Sequence, residues 1–444
     1  MQDLRLDPAY LRNIRYALPD LNGQARAKRV PAMQYQGLVA GQSKMPLSTL
    51  NLDIWGNDIM DSPLVFETGD ADGFLRPTER GLLPMPWIGP EAALLPVSMY
   101  HEDGRPFAGD CRHALAAVVA RYKALGLTPV MASELEFYLI DDEADQFRPP
   151  LSPTSGRRAS GGAMMSLRML DEFNTFFDAL YEGCAAMDIN ADTATSEAGP
   201  GQFEVNLHHD ANPMKVADDT WLFKLLTRRL ARNHNLAASF MAKPYEMASG
   251  SGLHVHVSLV DTLGRNVFDN GGPEGTDMLR HAIAGLLATM ADATLIFAPH
   301  ANSYDRLVPD SHAPTGIAWG YENRTTAIRV PNGTPRARRL EHRVAGGDVN
   351  PYLHLAVILG GMLIGIEDKL APPEPITGDA YEVKLPQIPG TWADALERFS
   401  TSKAMTRIFD PQLIDNLIRT KRQEMARLAP LSEQEVLDLY LEAV

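Results

Sequence analysis

The sequence predicts an α+β protein in which a small β-rich domain precedes a larger domain of helices and strands. Short apolar runs broken by Pro and Gly fill the first hundred residues, and Asn22–Gly23 is a hairpin signal. After a turn at Asp103–Pro106, Asp110 is placed to cap a long helix. Beyond it, five short segments alternate strictly between apolar and polar residues, as half-buried strands do. We therefore predict domains at 1–105 and 106–444.

Composition narrows the classes of function. The 444 residues include 56 acidic and 41 basic side chains, giving a formal charge of -15. A net acidic chain argues against general binding to nucleic acid or anionic lipid, so we expect neither as a partner. Cys111 and Cys184 are too few for a disulfide framework. The N-terminus lacks a secretory pattern, and the apolar stretch 352–366 is too short to span a bilayer, so we expect a cytoplasmic protein.

Helical periodicity and capping residues predict the helices of the larger domain. Asp410 before Pro411 is typical of a helix start, and Ser432 with Glu435 forms a capping box. The other predicted helices cover residues 111–125, 167–187, 218–242, 276–298 and 350–369.

The five alternating segments carry charged and polar residues on one face. Residues two apart on a strand point the same way, so each segment has an apolar face and a polar face. The polar faces hold Glu134 and Glu136 in 131–140; Gln202, Glu204, Asn206 and His208 in 201–208; His254, His256 and Ser258 in 252–259; Arg329 in 325–330; and Arg339, Glu341 and Arg343 in 338–344.

If these strands share a sheet, their polar faces form one concave site. Glu134, Glu136, Glu204 and Glu341 cannot all be ionised side by side without a counter-charge. Carboxylates with one imidazole suit Mg²⁺ or Mn²⁺ better than a structural Zn²⁺. The arginines are suited to phosphates and carboxylates, which they bind with paired hydrogen bonds. Metals opposite arginines in one cleft indicate phosphoryl transfer.

Several separated blocks together resemble the glutamine synthetase family. They occur in the family's order and cover almost the whole chain. The blocks are Asp20–Gly23 with Arg26, Lys28 and Pro31; Ser133–Tyr138; Glu197–Glu204; Gly250–His256; Asn302–Leu307; Asn323–Arg324 with Arg329–Pro331; and Arg338–Glu341 with Asn350–Tyr352.

This resemblance implies a fold and an assembly. The implied fold is an N-terminal β-grasp domain on an α+β catalytic domain built around a curved antiparallel sheet flanked by helices. The implied assembly is a homo-oligomer of hexameric rings, with twelve subunits expected. Each site would be completed by a neighbour's N-terminal domain, which Asp53 and Asp72 would present.

The resemblance also implies a role for individual residues. Two or three Mg²⁺ or Mn²⁺ ions would serve each site, and ATP would be the co-substrate. The implied metal ligands are Glu136, Glu197 and Glu204 for one ion, and Glu134, His254 and Glu341 for a second. Arg306 would bind the α-carboxylate of glutamate, with the backbone around Gly250. The residues implied near ATP are His256, Ser258, Arg329, Arg339 and Asp192, and those near the transferring phosphoryl group are Arg324 and Arg343.

One segment departs from the family's ammonium-using members. They carry a glutamate shortly after the substrate arginine, in a Gly-Tyr-Glu-Ala-Pro type of segment, and that carboxylate attracts and deprotonates ammonium. Here the segment is Pro309–Pro314, and His312 stands in the glutamate's place. We predict that His312 acts in catalysis on a different amine. The alternative is an ordinary loop histidine, with another acid doing this work.

Four further segments resemble the glutamate–putrescine ligase branch of the family. They lie at 52–56, 69–73, 240–246 and 319–324. The resemblance therefore implies ATP-dependent ligation of the glutamate γ-carboxylate to an alkylamine or polyamine such as putrescine, through γ-glutamyl phosphate. The alternatives are a γ-glutamylmethylamide synthetase, a true glutamine synthetase that uses ammonium, and a non-catalytic protein that kept the scaffold.

Overall fold

The computed structural model describes residues 6–141, 147–309, 311, 313–441 and 443–444. An N-terminal sheet has the strand order β2-β1-β6-β4-β3, with β5 paired to β6. Its central strands β1 and β6 are parallel, and its other pairs are antiparallel. The strands are β1 Asn13–Pro19, β2 Ala25–Pro31, β3 Ser43–Pro46, β4 Asp72–Pro77, β5 Leu83–Pro84 and β6 Ala92–Tyr100.

A second, larger sheet has the order β12-β13-β14-β11-β7-β9-β8, with β10 paired to β7. All its pairs are antiparallel except β12 with β13, so the expected antiparallel sheet is in fact mixed. The strands are β7 Leu127–Asp141, β8 Ala191–Ser196, β9 Gln202–Leu207, β10 Leu236–Ser239, β11 Leu253–Asp261, β12 Trp319–Tyr321, β13 Ile328–Val330 and β14 Leu340–His342. The predicted α+β class is confirmed.

Helices pack against these sheets and contribute much of the buried apolar core. The α-helices are α1 Tyr35–Val39, α2 Pro63–Phe66, α3 Cys111–Ala124, α4 Leu167–Glu172, α5 Asn174–Ala186, α6 Pro213–Asn233, α7 Asp277–Phe297, α8 Ser303–Arg306, α9 Pro351–Glu367, α10 Trp392–Thr401, α11 Met405–Ile408, α12 Pro411–Leu428 and α13 Glu433–Leu441.

The apolar face of the large sheet packs against helices, which leaves its polar face for the site. Phe137 on β7 is fully buried, and its ring centroid lies 6.3 Å from that of Phe223 on α6 and 6.4 Å from that of Phe203 on β9. Because side chains alternate along β7, Glu134 and Glu136 project to the opposite face. The burial of these aromatic rings therefore fixes the direction of the two carboxylates.

Most predicted helices are confirmed, but one ends early. The predicted helix 218–242 begins at Pro213 and ends at Asn233. Asn235 adopts φ 55°, a left-handed conformation that stops the helix, and Leu236–Ser239 then pairs with β7 as a strand. The apolar run at its end was ambiguous, because helix and buried strand share that composition. The predicted segment 167–187 is likewise two helices, with Phe173 between them.

The capping predictions hold. The Asp110 side chain accepts a hydrogen bond from the Arg112 amide, and Asp410 accepts one from the Gln412 amide. The Ser432 amide donates to Glu435 Oε2 at 2.8 Å, as a capping box requires.

A buried polar cluster ties the N-terminal region to α12. Lys421 Nζ lies 2.8 Å from Glu424 Oε2, and both side chains are almost completely buried. Glu424 Oε1 also accepts hydrogen bonds at 2.8 Å from the side chain of Asn22 and from the Ile54 amide.

The end of the first sheet at Tyr100 and the start of α3 at Cys111 bracket the domain boundary that we place near residue 105.

Helix α7 is long and apolar enough to cross a membrane by length and composition alone. However, 78 % of its most apolar window is buried inside the protein, as in the core helix of a soluble protein. The apolar residues of α7 pack against α9, and this contact accounts for their composition.

Candidate active site

The register of the large sheet brings the predicted carboxylates and histidines together. Glu134 on β7 lies opposite His254 on β11, and Glu136 lies opposite Glu204 on β9. On the other side of β11, His256 lies opposite Glu341 on β14. Four neighbouring strands therefore present their polar faces to one site, as the alternation of the sequence predicts.

Glu134 is the most heavily hydrogen-bonded carboxylate of this site. Its Oε1 lies 2.7 Å from Nε2 of His256 and 3.3 Å from Nδ2 of Asn206, and its Oε2 lies 3.4 Å from Nδ1 of His254. Burial opposes ionisation, but the hydrogen bonds from His254 and His256 outweigh it and hold the pKa of Glu134 far below its usual range. Glu134 is therefore a stable anion.

Glu204 and Glu197 have the opposite environment. Burial, together with the neighbouring charges of Glu134 and Glu136, raises the pKa of Glu204 to about 9. Burial and Glu136 raise the pKa of Glu197 to about 7, although Arg324 lowers it. Carboxylates crowded in this way lack a counter-charge, and a divalent cation with oxygen ligands would supply one.

Two groups of side chains have the spacing needed to hold a metal ion. One group consists of Glu134, Glu204 and His254. The other consists of Glu134, His256 and Glu341. Within each group the potential ligand atoms lie within 4.8 Å of one another. Carboxylate and imidazole donors fit Mg²⁺ or Mn²⁺, so the chemistry of the residues agrees with a metal site.

These groups differ from the predicted ligand sets. His256, which we expected near ATP, belongs to one of them, and Glu136 and Glu197 belong to neither. Glu136 Oε2 instead accepts hydrogen bonds from the Gly252 amide at 2.9 Å and from Gln202 Nε2 at 3.3 Å. The structure thus places Glu136 beside residues 250–252, the glycine loop, which precedes β11.

Two of the predicted arginines neutralise Glu341. Arg329 Nη1 donates to Glu341 Oε2 at 2.9 Å, and Arg343 Nη1 donates to Oε1. Burial opposes ionisation of Glu341, but Arg343 and the nearby histidines outweigh it and lower its pKa to about 2. Arg329 also lies 3.3 Å from Glu322 Oε2, so its charge is shared between two carboxylates.

Arg306 lies at the end of α8, behind the glycine loop. Only 5 % of its surface is exposed, and its Nη1 donates to the Val344 carbonyl at 2.7 Å. A Cβ atom on Gly250 would lie 2.7 Å from Cγ of Arg306 and 2.6 Å from the Ala242 carbonyl. Gly250 is therefore needed so that the loop can approach the arginine closely.

Four of the five residues predicted near ATP line one cleft. Asp192, His256, Ser258 and Arg339 surround a space of about 690 Å³ beside Glu134, whereas Arg329 is absent from its lining. Arg339 Nε donates to His256 Nδ1 at 3.1 Å. Because that ring nitrogen accepts, the other nitrogen carries the proton that it donates to Glu134. The cleft wall and the carboxylate cluster are thus connected through His256.

Two predicted catalytic residues are less well placed by the structure. Arg324 is exposed, and its charge lowers the pKa of Glu197. His312 lies outside the described residues, so its predicted role stays a prediction.

Asp72 is exposed, whereas Asp53 is buried and accepts hydrogen bonds from the Asn57 amide at 2.8 Å and from Gln423. The contacts of Asp53 are thus made within its own chain, and its expected place facing a neighbour stays a prediction.

Sequence reasoning placed Gln202 and Asn206 on the polar face of the site without giving them a role, and it missed Asp348. Gln202 and Asn206 share the polar face of β9 with Glu204, and that alternation was the available signal for their contacts with Glu136 and Glu134. No sequence pattern indicated Asp348, whose Oδ2 accepts a hydrogen bond at 2.5 Å from Ser303 at the start of α8. Asp348 thereby fixes the helix that carries Arg306.

Comparison with known proteins identifies the class to which this site belongs. The family "Glutamine synthetase, catalytic domain" matches residues 108–440. The match covers well over half of the chain and includes every strand of the large sheet. The chain belongs to the glutamine synthetase family and is an ATP-dependent glutamate–amine ligase; the family uses a divalent metal and ATP.

Particular relatives narrow the comparison further. The chain is 36 % identical over 393 residues to gamma-glutamylputrescine synthetase PuuA of Escherichia coli K12, covering 88 % of this chain and 83 % of that one. It is 31 % identical to a glutamate–isopropylamine ligase of a Pseudomonas species, covering 93 % and 91 %. The solved structure of a GmaS/ADP complex superposes with a TM-score of 0.84 at 26 % identity, covering 97 % and 98 %.

Proposed function

We propose that the protein joins the γ-carboxylate of glutamate to an alkylamine or polyamine, such as putrescine, through a γ-glutamyl phosphate. The observation that carries this proposal is the similarity over most of both chains to a gamma-glutamylputrescine synthetase. A second relative is a ligase for isopropylamine, which is also an alkylamine. The histidine at position 312, where ammonium-using members have glutamate, supports the same choice.

We propose two or three Mg²⁺ or Mn²⁺ ions in each site. The residues that would hold them are Glu134, Glu136, Glu197, Glu204, His254 and Glu341, and the spacing of the two ligand groups adds His256. When bound, the ions would neutralise oxygen charge on the phosphates and on the γ-carboxylate. The raised pKa values of Glu197 and Glu204 support this assignment, since both carboxylates need a positive neighbour.

In the first step, a γ-carboxylate oxygen of glutamate attacks the terminal phosphorus of ATP, and ADP leaves. Arg306 and the Gly250 backbone would hold the α-carboxylate, because a buried guanidinium binds carboxylates strongly. ATP would lie in the cleft lined by Asp192, His256 and Arg339. Fixing both reactants in one site lowers the entropic part of the barrier.

In the second step, the amine nitrogen attacks the γ-carbonyl carbon, and phosphate leaves with one former carboxylate oxygen. Arg324 and Arg343 would stabilise the tetrahedral adduct and the departing phosphate. His312 would accept the proton that the amine loses, since an unperturbed imidazole titrates near pH ~6.5. An imidazole attracts a cation less than a carboxylate does, which disfavours ammonium. Burial of the carbon chain of an alkylamine compensates for this weaker attraction, at about 0.8 kcal/mol for each CH₂ group.

The test is the rate of phosphate release with glutamate and ATP across a panel of amines. The panel contains putrescine, isopropylamine, ethanolamine, methylamine and ammonium at equal concentrations. The proposal expects the largest kcat/KM for putrescine or isopropylamine. A preference for methylamine would favour the γ-glutamylmethylamide alternative, and a preference for ammonium would identify a glutamine synthetase. No phosphate release with any amine, from protein that binds ATP, would indicate a non-catalytic scaffold.

We further propose that the protein acts in the cytoplasm as a homo-oligomer of hexameric rings, with twelve subunits. The exposed Asp72, in the N-terminal domain that we place at 1–105, would lie near a neighbour's site. Sedimentation velocity tests this assembly. A single species of about twelve times the 48.8 kDa chain mass is expected, and a fully active monomer would contradict the proposal.

A further inference from the structure

A polar cavity of about 190 Å³ lies on the helix side of the large sheet, away from the ATP cleft. Its wall is formed by α6, by the turn between β1 and β2, and by the strand β10. Four basic residues of α6 line it: Lys224, Arg228, Arg229 and Arg232. Asp348 is the one acidic side chain among the described lining residues. The described lining therefore carries more basic than acidic side chains, although Arg232 has a further partner of its own.

The direct hydrogen bonds of Lys224 go to backbone carbonyls and not to a carboxylate. The residue is only 8 % exposed, and its Nζ donates to the carbonyls of Gly347 at 2.7 Å and Val349 at 3.2 Å. Asp348 favours the charged form of Lys224 electrostatically, while its carboxylate accepts a hydrogen bond from Ser303. Carbonyl dipoles solvate an ammonium group, but they do not neutralise it.

Arg228 has an unused donor directed into this region. Its guanidinium carbon lies 5.3 Å from the ring centroid of Phe240, and its buried Nε has no hydrogen-bond partner. Across the ranges that the structure describes, no carboxylate lies within ion-pair distance of Arg228 or Arg229. Burial, with a smaller contribution from Arg229, lowers the pKa of Arg228 to about 10. Arg229 is exposed to solvent, but the buried Nε of Arg228 is costly to leave without an acceptor, and a bound anion would supply one.

We propose that this cavity is a second anion-binding site, for a small multivalent oxyanion such as phosphate or a dicarboxylate. Three observations carry the proposal: the enclosed polar space, the convergence of Lys224, Arg228 and Arg229, and the unsatisfied Nε of Arg228. A planar guanidinium with several donors is suited to both oxyanions. The volume is that of a small anion rather than a nucleotide.

The cavity is connected to the glycine loop of the active site. Lys224 donates to the Gly347 carbonyl, and the Gly347 amide donates to the Ser251 carbonyl at 2.9 Å. Ser251 lies between Gly250 and Gly252. An anion that draws Lys224 toward the cavity would therefore change the support of the loop beside Arg306. Binding itself does not depend on the proposed amine.

The experiment measures thermal unfolding of the intact, nucleotide-free protein in potassium phosphate, potassium succinate or potassium chloride at equal ionic strength. The variants are Arg228→Gln, Arg229→Gln and the pair together, with Arg168→Gln as the matched control. Arg168 is exposed on α4 and pairs only with Glu172 among the described residues. Anion binding at the active site contributes equally to wild type and to the four variants, so the differences between these five proteins isolate the cavity.

The proposal expects phosphate or succinate to raise the midpoint of wild type and R168Q by a few degrees above chloride. The double variant is expected to lose most of that increment, and R229Q alone is expected to lose part of it. A larger effect of phosphate indicates a phosphate site, and a larger effect of succinate indicates a dicarboxylate site. An equal increment in wild type and the double variant, or no increment in wild type, would overturn the proposal.

Discussion

Glu136 on β7 and Glu204 on β9 lie directly opposite each other in the antiparallel register of the large sheet. Two acidic side chains in that relationship repel each other, and burial increases the repulsion. The pKa of Glu204 is accordingly raised to about 9 by burial and by its acidic neighbours. The folded chain thus carries an unfavourable electrostatic arrangement that a bound cation would relieve.

Replacement of Glu204 by Gln tests this arrangement. Because a pKa of about 9 keeps Glu204 protonated in the folded protein at neutral pH, whereas the unfolded chain ionises it, the neutral Gln removes the cost of taking up this proton on folding and should stabilise the metal-free protein by on the order of 1 kcal/mol or more. The same change should remove most of the rise in Tm that Mg²⁺ or Mn²⁺ gives wild type, because a ligand is lost. Glu182→Gln, on an exposed position of α5, is the control. An unchanged metal-induced rise in E204Q would contradict the assignment of Glu204.

Replacement of Arg306 by Ala should raise the KM for glutamate far more than the KM for ATP. Truncating one partner of a buried charge pair costs about 2–5 kcal/mol, or roughly 30-fold to several thousand-fold. The comparison variant is Arg339→Gln, which lines the ATP cleft and should raise the KM for ATP instead. Steady-state kinetics with each substrate varied in turn gives both constants. Equal changes in both constants for R306A would assign Arg306 another role.

Replacement of Glu424 by Ala should strongly destabilise the protein. The change leaves Lys421 buried without its carboxylate and removes the acceptor used by Asn22 and the Ile54 amide. Loss of one partner of a buried pair costs about 3–5 kcal/mol. Unfolding in urea, compared with Glu433→Ala at an exposed position of α13, measures the loss. If E424A lost no more than E433A, the cluster would not be what joins α12 to the N-terminal region.

Replacement of His312 by Glu should shift the ratio of kcat/KM values toward ammonium. A carboxylate attracts ammonium and takes its proton, whereas an imidazole does only the second of these efficiently. The assay is the amine panel described above, with wild type measured in parallel. An unaltered ratio would support the alternative that His312 is an ordinary loop residue.

The strands of the site could be predicted because their signal is local. Strict alternation in 131–140, 201–208 and 252–259 predicted both the strands and the face on which Glu134, Glu204 and His254 lie. Contacts that depend on register or on distant loops could not be predicted in this way. The hydrogen bond between Ser303 and Asp348 joins positions 45 residues apart, and the buried Asp53 is held by Gln423 from α12. Nothing local distinguishes such pairs from surface residues.

The carboxylate to which each arginine donates could also not be predicted from the sequence. The resemblance implies Arg329 near ATP and Arg343 near the transferring phosphoryl group, and these roles stay predictions. In the folded chain both residues donate to Glu341, a contact that no sequence pattern indicated. The positions of Arg329 on β13 and of Arg343 just after β14 depend on the pairing of these two strands, which a sequence pattern does not specify.

The central claim is that the glutamate γ-carboxylate is activated by phosphorylation, and transfer of oxygen tests it most directly. Glutamate labelled with ¹⁸O in its γ-carboxylate is turned over with ATP and the preferred amine, and the released phosphate is analysed by mass spectrometry. The account predicts that each phosphate carries one ¹⁸O atom from the carboxylate, and that Arg306→Ala slows this transfer without changing its stoichiometry. Phosphate released without ¹⁸O, while amide is formed, would contradict a γ-glutamyl phosphate.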